Sequence, residues 1–165
     1  ARGLFKNIVQ RYNDVQKIAK KAAYKPTIFS GHLYQGIWYT SMGQNYMANY
    51  YENAGADYIY KKVKGTGTMN LEFERVYMDA SNAEYWLLIL NHPGELTYNV
   101  IKQMDERYCE FAAFKNRKII CTNAYSSLFF ERAEQEPDVV LADLTYALHP
   151  DLNPTYQPVY FKTLK

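Results

Sequence analysis

The sequence has few cysteines and no long apolar run. Its 165 residues include two cysteines, too few for a disulfide scaffold, and neither stands in a CxxC or Cys/His spacing typical of zinc sites. The longest apolar segment, residues 85–90, is long enough only for a strand, whereas a membrane-spanning helix needs about 18 apolar residues. We therefore expect neither a metal site nor a transmembrane span.

The overall composition is that of a folded, soluble chain. Hydrophobic residues make up 48% and charged residues 22%, a mixture that argues against a disordered, collagenous or coiled-coil protein. The length favours a single domain. The 17 tyrosines and 8 phenylalanines occur mostly in short runs bounded by Gly, Asn or Pro, a composition that favours strands over helices. The composition thus predicts a β-rich fold.

Basic residues are concentrated at the start of the chain. Residues 1–25 contain seven basic residues and one acidic residue, a net charge of +6, whereas the remainder carries −4. Apolar residues from Leu4 to Ala22 recur at helical spacing, and Lys25-Pro26 is expected to end that helix. This pattern predicts a separate basic amphipathic extension over residues 1–25, which is either an element with its own acidic partner or a solvated tail.

After this helix the apolar pattern changes to alternation and short runs. It predicts seven strands, at residues 36–43, 56–64, 67–78, 84–91, 96–104, 107–114 and 118–131. A second helix is expected from Pro137 to about Leu148, because proline is well tolerated at the first helical position. Consecutive antiparallel strands beside one late helix are the arrangement expected of a closed up-and-down barrel.

Three motifs in the predicted barrel resemble those of the lipocalin family. Residues 36–39, Gly-Ile-Trp-Tyr, resemble the G-x-W signature of the first strand. Residues 103–108 resemble a degraded T-D-Y-x-x-Y motif, of which the last tyrosine matches. Residues 128–132 and the helix after them resemble the last strand, its arginine and the helix beside the barrel.

The lipocalin resemblance covers residues 29–165 and implies an eight-stranded barrel domain there. Its structural signature would be Gly36, Trp38, Tyr108 and Arg132. In the family the arginine lies across the face of the tryptophan at the closed end of the barrel, so the resemblance implies a cation–π contact between Arg132 and Trp38.

A barrel of eight strands can hold one small ligand in a calyx. Side chains alternate between the two faces of a strand, so counting from the signature residues gives those that would point into the barrel. Aromatic residues on strands whose inward face the sequence does not determine are added to this candidate lining. It comprises Thr40, Met42, Tyr58, Tyr60, Phe73, Trp86, Tyr98, Val100, Phe111, Ser126, Leu128 and Phe130. Plain core packing is the alternative for each. Such a lining would suit a bound lipid, retinoid, carotenoid or tetrapyrrole, and no cofactor is required.

The two cysteines leave two possibilities open. A hairpin that turns at Lys115-Asn116 would bring Cys109 and Cys121 near each other on neighbouring strands, so they are either a disulfide or two free thiols. Cys109 would face the barrel interior, where a lipocalin-like isomerase would need its cysteine.

We do not expect an enzyme. The histidines at 32, 92 and 149 have no Ser, Cys or Asp partner in a recognisable order. Gly65-Thr66-Gly67 is not followed by the GK[ST] of a phosphate loop. Nucleic-acid binding is not expected either, since it would rest on the basic first segment alone.

Two functions from different classes remain. The first is a carrier of a small hydrophobic ligand in the barrel calyx. The second is a non-enzymatic assembly or interaction subunit, docked to a protein complex or to an anionic membrane through its basic helix. The docking residues would be Leu4, Phe5, Ile8, Val9, Lys17, Lys20 and Lys21. The chain begins at Ala1 without an initiator Met, which favours a secreted or organelle-lumen location after removal of a targeting peptide.

Overall fold

The computed structural model describes residues 1–165 and shows a mixed α/β fold with two sheets. In chain order the strands are β1 (Thr27–Ser30), β2 (His32–Tyr34), β3 (Ile37–Ser41), β4 (Asp57–Tyr58), β5 (Thr68–Leu71), β6 (Tyr85–Leu90), β7 (Ile119–Asn123) and β8 (Lys162–Thr163). The helices are α1 (Arg2–Ala19), α2 (Tyr46–Asn53), α3 (Phe73–Ala80), α4 (Tyr98–Met104), α5 (Ala112–Lys115), α6 (Ala124–Ser127), α7 (Phe129–Arg132) and α8 (Pro137–Leu148). Short 3₁₀ helices cover Glu106–Glu110, Ala133–Gln135 and Pro150–Leu152.

The larger sheet has the strand order β4-β1-β6-β7-β8. Its first four strands are parallel, and β8 pairs antiparallel to β7. The smaller sheet, β2-β3-β5, is antiparallel. The chain enters it directly after β1. Its hairpin between β2 and β3 turns at Gln35 and Gly36, whose φ angles of 50° and 81° match the twist of the flanking strands.

The lipocalin barrel predicted for residues 29–165 is wrong. The central strands are buried on both faces, so successive residues of β6 enter two different cores: Trp86 and Leu88 pack on one side, and Leu87 packs on the other. A continuous apolar run of this kind is typical of a parallel strand covered by helices, not of a barrel strand with one solvated face. The division into an extension over residues 1–25 and a domain over 29–165 stays a prediction.

Only some of the predicted strands exist. The segments 36–43 and 84–91 contain β3 and β6, and the helix from Pro137 to Leu148 is confirmed. Of the segment 56–64, only the two residues of β4 form a strand. Four others include helix: α3 in 67–78, α4 in 96–104, a 3₁₀ helix and α5 in 107–114, and α6 and α7 in 118–131.

The mistaken strands have a common physical cause. In α3 the buried residues are Phe73, Val76 and Ala80, at the three- and four-residue spacing of a helix face rather than at alternate positions. In α4 the Thr97 side chain accepts a hydrogen bond from the Val100 amide and caps the helix. Short helices with aromatic residues therefore resemble strands in composition. The spacing of their buried residues and their N-terminal capping hydrogen bonds distinguish them from strands.

Helix α1 is predicted correctly as a helix, and its two halves have different surroundings. Tyr12 and Val15, in the second half, pack against the core under α8, and Arg11 forms an ion pair with the buried Asp138 at the start of α8. In the first half, Leu4 is 65% exposed and Phe5 is 68% exposed. The second half thus anchors the helix, while the first half presents apolar side chains to solvent. None of the helices combines the length and the hydropathy needed to cross a membrane.

The lipocalin signature residues have other roles here. Trp38 is buried among aromatic rings that include Tyr108, and its indole N–H donates to the Ser30 carbonyl at 2.9 Å. Arg132 is exposed on α7 and pairs with Glu136 at 3.5 Å, so the expected cation–π contact with Trp38 is not formed. Gly36 lies in the exposed turn of the β2–β3 hairpin.

Both cysteines are free thiols, so the disulfide considered for them is absent. Lys115 ends α5 instead of opening a hairpin, and Cys109 therefore lies in a 3₁₀ helix while Cys121 lies within β7. Burial raises the pKa of Cys121 to about 11. The inward position that a lipocalin-like isomerase would need for Cys109 does not exist, because there is no barrel.

The last strand is fixed by one buried carboxylate on α8. Asp143, 1% exposed, accepts the backbone N–H groups of Val159, Tyr160 and Phe161 and the hydroxyl of Tyr156. These bonds hold the segment that leads into β8 against the helix. Burial raises the pKa of Asp143, and the hydrogen bonds from the segment oppose that rise.

Candidate functional site: a cavity at the switch point of the sheet

The strand order creates a topological switch point in the larger sheet. From β1 the chain first adds β4 on one side, and it then crosses to add β6 on the other side of β1. The connections therefore diverge at the carboxyl ends of β1 and β6. In open α/β sheets this is where ligands bind, because the two connecting segments leave a crevice between them.

A cavity of about 450 Å³ lies at this point. It is bounded by the ends of β1 and β6, by the small sheet, by α2 and by α7. Its lining consists of Ser30, Gly31, His32, Tyr34, Tyr39, Thr40, Ser41, Met47, Tyr51, Thr68, Leu87, Ile89 and Phe130. The volume is within the range of small-molecule sites, and the mixture of apolar walls with a few hydroxyls is typical of them.

Gly31 allows the small sheet to fold back over the end of β1. Its φ is +96°, and a Cβ atom at this position would lie 2.1 Å from the backbone oxygen of Tyr39. The Gly31 carbonyl accepts the indole N–H of Trp86 at 2.8 Å. No other residue type fits this position without moving the backbone that forms one wall of the cavity.

A row of buried hydroxyl groups forms the inner end of the cavity. Ser30 Oγ lies 3.0 Å from Thr40 Oγ1, which lies 3.1 Å from the Tyr58 hydroxyl. The Tyr58 hydroxyl donates to the Ser41 carbonyl at 2.6 Å. Burial raises the pKa of Tyr58, and the hydrogen bonds with Thr40 and Ser30 partly offset that rise, so the row is uncharged at neutral pH.

Aromatic side chains surround the mouth of the cavity. Tyr34 is 59% exposed on the β2–β3 hairpin, Tyr39 lies on β3, and Phe130 on α7 is 65% exposed. Phe130 follows Leu128, whose φ of 53° turns the chain between α6 and α7. Exposed aromatic rings in the lining of a cavity can pack against the face of a flat solute.

Two of the twelve predicted lining residues, Thr40 and Phe130, line this cavity. Tyr58 lies directly behind Thr40 in the hydroxyl row. Ser126 lines a second cavity of about 400 Å³ beside Cys121, Leu128 is exposed, and Met42 packs against Gly65. The rest belong to the two cores or pack against them: Tyr60, Phe73, Trp86, Tyr98, Val100 and Phe111. As a calyx lining these residues do not come together, because the barrel that would have joined them does not exist.

Most residues of this cavity are absent from the lining predicted from the sequence. The predicted lining does not include Ser30, Gly31, His32 or Tyr51. One signal was available: Ser-Gly directly after the short apolar run Ile28-Phe29 is typical of a chain leaving the carboxyl end of a buried strand. No three His, Cys, Asp or Glu side chains are grouped closely enough to hold a metal ion.

Comparison with protein-family models finds no match. Among curated proteins, an uncharacterized lipoprotein of Methanocaldococcus jannaschii is 26% identical over 141 residues, which are 82% of this chain and 32% of that protein.

Among solved structures, the TroA-like periplasmic binding protein FepB from Veillonella parvula has a TM-score of 0.73 over 99% of this chain, at 14% identity. The chain has the fold of the matched part of that protein. The periplasmic heme-binding protein RhuT from Roseiflexus matches with a TM-score of 0.70 over 92% of this chain at 13% identity, and Staphylococcus aureus IsdE, solved with heme, with 0.67 over 90% at 15% identity.

The chain is shorter than the proteins it resembles. It spans 56% of FepB, 56% of RhuT and 57% of IsdE, and about a third of the archaeal lipoprotein. The chain shares the α/β fold of these solved neighbours, which excludes a lipocalin barrel.

Proposed function

We propose that the chain binds a small solute in the cavity between β1 and β6 and takes part in its transport. The observation that carries this proposal is the position of a cavity of about 450 Å³ at the switch point of the sheet. The neighbours support it, since two of them are described as binding heme.

The solute class follows from the lining and the neighbours. Aromatic rings at the mouth favour a flat solute with an apolar face. Of the ligands expected from the sequence, a tetrapyrrole agrees with the heme-binding neighbours, whereas a lipid or a retinoid has no support among them. The neighbours described as periplasmic and the lipoprotein relative favour a location outside the cytoplasm.

The binding proposal is tested by filling the cavity from its exposed side. Thr68 lines the cavity from β5 and is exposed, so Thr68→Trp adds a large ring without disturbing either core. N-phenyl-1-naphthylamine, a dye that fluoresces in apolar surroundings, should bind the unmodified chain at one molecule per chain. We expect Thr68→Trp to weaken this binding roughly tenfold, because the added ring occupies the site.

Asn70→Trp is the matched control, since Asn70 is exposed on the same strand but does not line the cavity. It should leave dye binding unchanged. Native mass spectrometry of the chain purified from its source identifies the natural solute as an added mass, which Thr68→Trp should remove. Equal dye binding by both variants and the unmodified chain would refute the proposed site.

A protein partner is the second part of the proposal. The first half of α1 exposes Leu4, Phe5 and Val9 within the segment of charge +6, and another neighbour is described as the substrate-binding protein of an ABC transporter. We infer that this half contacts another polypeptide through its apolar residues. Of the further candidates from the sequence, Ile8 and Lys17 lie on the same helix, and Lys20 and Lys21 directly follow its end.

Membrane flotation tests this contact. The chain should float with native membranes that retain their proteins, and the double variant Leu4→Glu/Phe5→Glu should lose at least about 90% of that binding, because it places charge on the apolar surface. Asn13→Glu, in the half anchored on α8, serves as the control, because Asn13 is exposed and is not among the candidate docking residues. Equal flotation with protein-free phosphatidylcholine–phosphatidylserine vesicles would contradict a protein partner and indicate lipid binding.

A further inference from the structure

The hydroxyl row at the inner end of the cavity has a single possible direction of hydrogen bonding. A carbonyl oxygen only accepts, so the 2.6 Å contact uses the one proton of the Tyr58 hydroxyl on Ser41. Toward Thr40, the Tyr58 oxygen can then only accept, so the Thr40 hydroxyl donates to it. The Thr40 oxygen in turn accepts from Ser30, which thereby uses its own proton.

Counting protons therefore determines what Ser30 and Thr40 offer to a solute. Ser30 and Thr40 line the cavity, and both have their protons committed to the row. They present only lone pairs to a bound molecule. Tyr51 also lines the cavity, and a proton that its hydroxyl donated to Ser30 would leave the Tyr51 oxygen with lone pairs only.

The neighbouring histidine points to the same chemistry. His32 Nδ1 lies 3.0 Å from the Leu33 carbonyl, which cannot donate, so Nδ1 carries the proton of the neutral ring. The other ring nitrogen, Nε2, is then an acceptor. His32 is part of the same lining as Ser30 and Thr40.

We propose that the inner end of this cavity selects solutes that present a hydrogen-bond donor, an O–H or N–H group, and rejects those that present a group able only to accept. This inference rests on the proposed function, since it assumes that a solute occupies the cavity. An acceptor placed against Ser30 would leave two sets of lone pairs facing each other away from water, which costs affinity. Heme, whose ionised propionates only accept, would thus bind less well than a solute of similar shape that carries hydroxyl or amine groups at its inner end.

The test compares two probes of nearly the same shape. 2-Naphthol presents an O–H donor, whereas its methyl ether, 2-methoxynaphthalene, can only accept. Binding is measured by NMR titration, with the methyl signals of Leu87 and Ile89 reporting occupancy of the cavity. We expect the unmodified chain to bind 2-naphthol about fivefold to tenfold more tightly than the ether, the effect of one hydrogen bond made or lost.

Two variants remove the constraint that fixes which hydroxyl of the row donates and which accepts. In Tyr58→Phe the Thr40 proton is free to turn toward Ser30, which frees the Ser30 proton for the cavity. In Thr40→Val the Ser30 proton is freed directly, while Tyr58 keeps its bond to Ser41. Both variants should reduce the preference for 2-naphthol to about onefold to twofold. If Tyr58→Phe does not fold, Thr40→Val supplies the same measurement.

Tyr60→Phe is the matched control. Its hydroxyl bonds Asp79 at 3.0 Å and takes no part in the row, so the preference should persist. Equal affinity of both probes in the unmodified chain, or a preference that survives in both Tyr58→Phe and Thr40→Val, would overturn the inference while the cavity remains a binding site. If neither probe shifts the Leu87 and Ile89 signals, the proposed function fails, and the inference fails with it.

Discussion

Replacing Gly31 by alanine is expected to lower the free energy of unfolding by about 4 kcal/mol, the largest effect of any single substitution considered for the cavity. Two penalties combine: φ of +96° disfavours any side chain, and the new Cβ would lie 2.1 Å from the Tyr39 backbone oxygen. Urea denaturation followed by tryptophan fluorescence measures the loss. Trp86, whose indole donates to the Gly31 carbonyl, lies beside the change and should report it.

Substitutions at two other glycines distinguish the cost of backbone strain from the cost of the steric clash. Gly36 has a φ of +81° but no atom within 4 Å of an added Cβ, so Gly36→Ala should cost only about 1 kcal/mol of conformational strain. Gly67 has neither constraint, and Gly67→Ala should change stability by less than about 0.5 kcal/mol. A Gly31→Ala protein as stable as Gly67→Ala would show that the small sheet does not fold over β1 as described.

Replacing Asp143 by alanine is expected to cost about 3 to 4 kcal/mol. The change removes the acceptor of three backbone N–H groups, two of which belong to the buried residues Tyr160 and Phe161. Buried donors without partners cost about 1 to 3 kcal/mol each. Hydrogen–deuterium exchange should also quicken at residues 159–163, because the carboxylate holds this segment against α8.

Asp143→Asn should cost less, about 1 to 2 kcal/mol. The amide can turn its oxygen toward the three backbone N–H groups and its nitrogen toward the Tyr156 hydroxyl, which can accept instead of donating. Tyr156→Phe removes only that one hydrogen bond and should cost about 1 kcal/mol. If alanine and asparagine at position 143 were equally stable, the carboxylate would not be what fixes the last strand.

The α1 and α8 segments show what a local pattern can predict. In both, apolar residues recur at helical spacing over more than ten residues, and α8 begins at a proline in the first helical position. The helices 73–80 and 98–104 are only eight and seven residues long, and the sequence pattern predicts strands for both. Short segments contain too few turns for periodicity to outweigh a strand-like composition.

The lipocalin resemblance failed for a related reason. Trp38 and Tyr108 are buried and pack against each other at 5.9 Å between ring centroids, so the motifs did identify core aromatic residues. Arg132 does not join them and pairs with Glu136 on the surface. A three-residue motif indicates that a tryptophan is buried, but it does not determine which strands pair beside it.

The sequence by itself determined the two long helices, the strands at 37–41 and 85–90, the absence of a membrane-spanning helix and the uneven charge, because each depends on residues near one another in the chain. The candidate site depended on the tertiary structure. Ser30, Thr40 and Tyr58 belong to three strands in two sheets, and only the fold-back at Gly31 and the parallel pairing of β1 with β4 bring their hydroxyls within hydrogen-bond distance. Parallel pairing joins residues that are far apart in the chain, and no local sequence pattern determines which strands pair.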